Sequence, residues 1–314
     1  MDTKKTNKQH FVSQFYLKHW AKPDEMLSVK GSGKPFKSNS KNIGHENHLY
    51  RIEGLGKKEK DLLLSGLQKV PEPMHSLFKT MITACYYFKV FSALPTDMDT
   101  ANIIELQKQN IVEDFYSVFE DQVNPGFMTL VNGEYEKFNI NYYQDILRFV
   151  VLQLTRTPKV KEISQQMMQE EFIQRGLQFR DFDTLHSAII AEQITIALIE
   201  KLYQIEIIEN TTDLNFITSD NPVKNLLPVK DKLVELFWPI NPRKALIIKP
   251  TNFSAERATE IKDGIANHGK KADYIITVTK KNELVEIQKL NQITWHNKHR
   301  HIYYLNDLDI IGLK

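Results

Sequence analysis

Three side chains in this sequence have the chemistry for acid–base or anion-binding work: His10, Arg156 and Asp220. His10 stands in "KQHFVSQFYLKHW", where an imidazole titrating near neutrality could shuttle a proton or ligate a metal. The alternative is a half-buried ring packed beside Phe11. Arg156 ends the apolar run "NYYQDILRFVVLQLTRTP", and Gln153, Arg156 and Thr157 fall at helical i, i+3 and i+4 spacing, hence on one face. A guanidinium carried into such surroundings suits a carboxylate or phosphate, which its planar fork grips with two bonds. At a helix C-terminus it would equally complement the dipole. Asp220 lies in "FITSDNPV", where a strand runs into an Asp-Asn-Pro turn. There it could orient His10 or hold a divalent cation, with Ser219 and Asn221 lining the same cleft. A structural Asx turn is the competing reading.

Other signals are weaker. His45, Glu46 and His48 in "GHENHLY" lack the i, i+4 histidine pair of a helical zinc protease. The run "WHNKHRHIYY", from Trp295 to Tyr304, interleaves bases and aromatics as single-strand nucleic-acid platforms do, but reads equally as a turn and a closing strand. No glycine-rich phosphate loop, dinucleotide fingerprint, nucleophile elbow or kinase motif is present in the sequence. Ser219 therefore has no nucleophile context.

The elements that must position these groups follow from periodicity. Residues 10–21 read as a short helix closed by Pro23, whose Phe11, Phe15, Tyr16, Leu17 and Trp20 are too apolar to stay in water. Residues 26–52 read as a β-hairpin or meander. Helices are expected over 57–69, 72–91, the stretch after Pro95, 141–157, 159–176 and 183–203. Asn124-Pro125 is expected to break the third of these, and Asn132-Gly133 to make a two-residue hairpin turn. Strands follow in "YQIEIIE", "NFITSDNPV", "LVELFWPI", "ALIIKP", "DYIITVT" and "HIYYL", with helices at 253–268 and 281–292. The expected fold is α+β: a helix-rich N-terminal two-thirds with a small β-hairpin, then a mixed or antiparallel sheet with helices. We expect one domain over 1–314, with a subdivision into a mainly helical 1–205 and a β-rich 206–314.

Composition bounds the class. With 314 residues, 41% hydrophobic and 25% charged, the chain is globular in type. The single Cys85 excludes a disulfide framework and a cysteine-rich zinc site. No signal-peptide h-region follows the start and no run suggests a membrane span, so a cytoplasmic setting without membrane contact is expected. The net charge is +2, but residues 1–60 hold thirteen Lys/Arg against six Asp/Glu, and 97–147 hold two against ten. The basic region could steer a polyanion, or could simply face solvent or the acidic region.

"QHFVSQFYLKHW", "QLTRTP" and "FITSDNPV", followed by "WPINPRKALII", together resemble the domain-of-unknown-function family 4238, a mainly bacterial group, over nearly the whole chain. The departures are Ser13 where the family has proline and Trp20 where it has phenylalanine. By matching position the resemblance implies one site built from Gln9, His10, Gln153, Arg156, Ser219, Asp220 and Asn221. It supplies no reaction. The chemistry of those groups suggests a nuclease-like enzyme cutting a phosphodiester in RNA or DNA. His10 would be its acid–base, Arg156 its charge stabiliser and Asp220 the group that orients His10 or holds a metal. Gln9, Gln153, Ser219 and Asn221 would bind substrate, and the kind of family implies an effector in bacterial defence or conflict. The alternative is a non-catalytic module that binds a nucleotide, a nucleic-acid end or another small anion in that cleft.

Overall fold

The computed structural model describes residues 7–95, 97–228, 231, 233–251, 253–266, 274 and 276–313. In chain order the strands and helices of its first half are β1 (Lys8–His10), α1 (Gln14–Lys18), β2 (Met26–Lys30), β3 (Phe36–Asn39), β4 (His45–Asn47), α2 (Lys57–Gly66), α3 (Met74–Ser92), α4 (Met98–Asn132) and α5 (Ile140–Thr155). Then come α6 (Pro158–Gln174), α7 (Phe179–Glu200), β5 (Gln204–Asn210), β6 (Thr218–Ser219), β7 (Lys224–Asn225), β8 (Leu236–Asn241) and β9 (Lys244–Lys249). The chain finishes with α8 (Ala255–Ala266), β10 (Thr277–Lys281), α9 (Leu284–Asn297) and β11 (Ile302–Tyr304). Helices dominate the N-terminal part and mixed and antiparallel sheets the C-terminal third, so the chain is α+β. The ends of the 253–268 helix and of the "DYIITVT" strand lie partly outside the described residues.

Two interleaved compact units emerge. Unit 1 comprises Met1–Phe11, His45–Phe119 and Thr155–Ile196; unit 2 comprises Val12–Gly44, Glu120–Leu154 and Ala197–Lys314. Within unit 1, β1 and β4 form an antiparallel ribbon that sets His10 opposite His45, beside a largely helical body. Within unit 2, a five-stranded sheet runs β10-β5-β9-β8-β7, antiparallel except for the parallel β10–β5 pair. A second, four-stranded antiparallel sheet runs β3-β2-β11-β6. The expected hairpin is thus β2–β3, and the last strand, β11, fills the slot between β2 and β6.

The aromatic N-terminal helix is docked, as its composition requires. Tyr16, Leu17 and Trp20 are fully buried in unit 2, and the Tyr16 ring stacks on Trp238 with centroids 5.4 Å apart. Phe15 meets Phe127 and Phe149, each at 5.3 Å. Burying aromatics of this size dominates local packing energy.

Three local expectations are corrected. Helix α4 continues through Pro125, which forfeits one backbone donor without ending the helix. Asn132-Gly133 then stops that helix instead of turning a hairpin. Gly133 takes φ +78°, its N–H donates to the Leu130 carbonyl, and the Glu134 N–H reaches back to the Thr129 carbonyl. That is a Schellman closure, which needs the same left-handed glycine as a hairpin turn and so shares its sequence signal. Thirdly, α5 ends at Thr155, because Thr157 precedes a proline and is extended at ψ 149°. Arg156 and Thr157 therefore sit in a bend, and the Gln153–Arg156–Thr157 helical face does not form. Helix α7 is long and apolar enough to cross a membrane by length and composition alone, and 56% of its apolar window is buried within the protein, as in a core helix.

Candidate functional site

The polar segments singled out in the sequence resolve into two kinds of structure, best built up from Tyr16. In unit 2 its hydroxyl bonds to Thr218 Oγ1 at 2.5 Å and donates to the Pro239 carbonyl at 2.7 Å. Burial pushes the phenol well above its ordinary range, so it stays a neutral donor. The first helix, "FITSDNPV" and "WPINP" are thereby tied at one buried point.

From Thr218 the chain enters the turn that carries Ser219, Asp220 and Asn221, all buried. This turn acts as a clamp on the connector between α9 and β11. The Asp220 carboxylate accepts the backbone N–H groups of His299 at 2.9 Å, Arg300 at 2.7 Å and His301 at 2.8 Å. Asn221 Nδ2 and Lys224 Nζ both donate to the Asn297 carbonyl, at 3.0 and 3.4 Å. Ser219 Oγ donates to the Asn221 carbonyl and receives Lys224 Nζ at 3.3 Å. Backbone amides and a helix-end carbonyl that would otherwise want water are satisfied by buried side chains. The Asp-Asn-Pro turn is structural in this sense, yet what it structures is a loop of unusual composition.

That loop, "NKHRH", lines an open recess of about 670 Å³ with Lys30, Gly31, Ser32, Trp295, Lys298, His299, Arg300 and His301 on its walls. Five lining side chains are basic and none is acidic. Lys298 Nζ lies 4.2 Å from the Trp295 ring centroid and donates to the Trp295 carbonyl at 3.1 Å. The His301 ring, 40% exposed, has its Nδ1 at 3.7 Å from the buried Asp220 Oδ2, an electrostatic contact longer than a hydrogen bond. Gly31 makes room for that ring: a Cβ there would stand 3.1 Å from His301 Cδ2. The recess can hold an anion, lay a flat base against Trp295, and present an imidazole backed by a carboxylate.

The other expected residues lie in different settings. Gln9 is buried in unit 1, its amide donating to the Gln109 carbonyl at 2.6 Å and accepting the Tyr50 N–H at 2.6 Å. His10 is half-buried on β1, its ring edge-on to His45 with centroids 5.3 Å apart. Burial, then the nearby Lys8, lowers the His45 pKa. Arg156 is buried in unit 1 with its guanidinium 5.1 Å from the Tyr116 ring centroid, and Gln153 is buried on α5 in unit 2. His10 and Arg156 thus belong to one unit, and Gln153, Ser219, Asp220 and Asn221 to the other. Among the described residues no group of three His, Cys, Asp or Glu side chains is placed to hold a metal ion.

Sequence reasoning found the clamp but missed what it holds. Lys298, Arg300 and His301 carried one available signal, the alternation of bases and aromatics from Trp295 onward, and Lys30 on β2 carried none.

The class defined by this architecture is an α+β protein with a carboxylate-clamped basic loop beside a tryptophan. The chain belongs to the family "Protein of unknown function (DUF4238)", whose family model matches residues 8–307. No curated protein and no solved structure matches it.

Proposed function

We propose that this protein binds a nucleotide or a nucleic-acid end, gripping its phosphate in the basic recess of unit 2. The supporting observation is the one-sign lining: Lys30, Lys298, His299, Arg300 and His301 with no carboxylate at the surface of the recess. Arginine and lysine at such a wall favour phosphate oxygens, and Trp295 offers a face on which a base can stack without sequence preference. The test is binding of a labelled single strand with and without a 5′ phosphate. The phosphorylated strand should bind more tightly, and Arg300→Ala should cost about fivefold to tenfold, the worth of one exposed charge-assisted contact. Equal binding of both strands would defeat the reading.

A second reading is favoured by the placement of His301 beside Asp220: the same recess cleaves a phosphodiester. His301 would move the proton, Arg300 and Lys298 would stabilise charge on the phosphoryl oxygens, and Asp220 would hold the loop. His301→Gln should then abolish cleavage while weakening strand binding no more than Arg300→Ala does. The assignment of the acid–base role to His10 and of charge stabilisation to Arg156 makes the opposite prediction, loss of cleavage in His10→Ala. An effector role in bacterial defence rests on the nuclease reading and would show as toxicity on expression that the same inactivating substitution removes.

A further inference from the structure

Unit 1 contains a second recess, unrelated to the basic loop, of about 490 Å³. Its walls include Glu46, His48, Lys161, Arg180, Asp183 and Thr184. Lys161 is carried on α6, and its amine is placed for chemistry in an unusual way for a surface-type residue. Its closest acceptors are the Leu49 carbonyl at 3.5 Å and Thr184 Oγ1 at 3.4 Å, both at the outer limit of a hydrogen bond. It has no carboxylate within ion-pair distance among the described residues, and its Nζ sits 4.8 Å from the Tyr50 ring centroid. A lysine held this loosely in a cavity is poorly compensated for its charge. Burial, opposed by Asp183 and reinforced by Arg180, lowers its pKa to about 8.

Two neighbours on α7 complete the arrangement. Asp183 accepts Ser164 Oγ at 2.7 Å, and burial raises its pKa, so the protonated acid is more accessible than for an ordinary aspartate. Arg180 is exposed at the mouth, where its guanidinium donates to the His48 carbonyl at 3.4 Å. Nucleophile, proton donor and anion anchor thus line one concavity, on the α6 and α7 walls.

We infer that this recess binds a small anionic carbonyl compound, a 2-oxo acid or a phosphorylated aldehyde, and that Lys161 condenses with it as an imine. The neutral amine of Lys161 adds to the carbonyl carbon, giving a carbinolamine. Asp183 delivers a proton to the hydroxyl, which leaves as water, and the nitrogen lone pair closes the C=N bond as a protonated imine. Asp183 is left as a carboxylate facing the iminium, and Arg180 holds the anionic group of the ligand. Glu46 and His48 are the other titratable groups at this wall.

The full-length protein incubated with pyridoxal 5′-phosphate or glyoxylate, reduced with borohydride and digested, should show the adduct at Lys161 well ahead of the other lysines. Raising the pH from about 6.5 to 8.5 should increase that adduct as the amine loses its proton. Lys161→Arg, which keeps the positive charge, should remove the preferred adduct while leaving a folded protein by circular dichroism. Arg180→Ala should reduce trapping of the anionic aldehyde but not of neutral propionaldehyde. Labelling spread evenly over surface lysines, or no adduct at Lys161 in the folded wild type, would overturn the inference.

Discussion

Replacing Asp220 by alanine tests the clamp directly. The carboxylate is 1% exposed and accepts three backbone N–H groups between 2.7 and 2.9 Å, two of them at Oδ2. A hydrogen bond to a charged acceptor contributes roughly 1.5–3 kcal/mol net, and removing the acceptor strands its donors. The connector is partly exposed, so water recovers some of the loss. Taking the low end for each of three bonds and allowing for that recovery, Asp220→Ala should cost about 3–4 kcal/mol. Asp220→Asn keeps one carbonyl for the two amides that share Oδ2 but turns an NH₂ toward the third, and should cost about half as much. Urea unfolding with an unchanged m-value reads both differences as midpoint shifts. The pair also separates this role from a purely catalytic one, which predicts lost activity at stability within about 1 kcal/mol. A wild-type midpoint in Asp220→Ala would refute the clamp.

Other expectations follow from the same geometry. Tyr16→Phe removes a hydroxyl that bonds Thr218 and the Pro239 carbonyl and leaves both buried partners short, so it should cost about 1–3 kcal/mol in the same assay. Burial raises Asp145 to about 6, with Arg148 opposing from 4.0 Å. The folded state therefore holds its proton longer than the unfolded chain. Stability from this group is present below pH 4 and is lost as the pH rises to about 6, by at most about 3 kcal/mol. Asp145→Asn should flatten that part of the stability–pH curve, and an unchanged slope would contradict the assignment. Gly31→Ala should displace the His301 ring and weaken phosphate binding with little effect on stability, readable from the His301 NMR resonances.

Much of the architecture was legible from apolar patterning, because α5 shows a helical apolar face and β5 and β9 are short apolar runs rich in isoleucine. The docking of the first helix was legible too, since so many large aromatics in one turn-and-a-half have only one stable place. What misled was local chemistry with two meanings. Gly133 takes a left-handed conformation that serves a helix stop or a hairpin alike, and Pro125 is accommodated inside a helix of 35 residues. The polar motif around Asp220 was visible, but its role depends on which amides it meets, some eighty residues later in the chain. Lys161 had no signal at all: a lysine on a polar helix acquires its properties from Tyr50, Thr184 and Asp183, none of them near it in sequence.

The most direct test of the central claim is calorimetry of the full-length protein with a short single strand carrying a 5′ phosphate, titrated at two salt concentrations. The account predicts measurable binding that weakens with salt, falls about fivefold to tenfold in Arg300→Ala, and is weaker when the 5′ phosphate is removed. Binding that is indifferent to the phosphate, or unchanged in Arg300→Ala and Lys298→Ala, would contradict it.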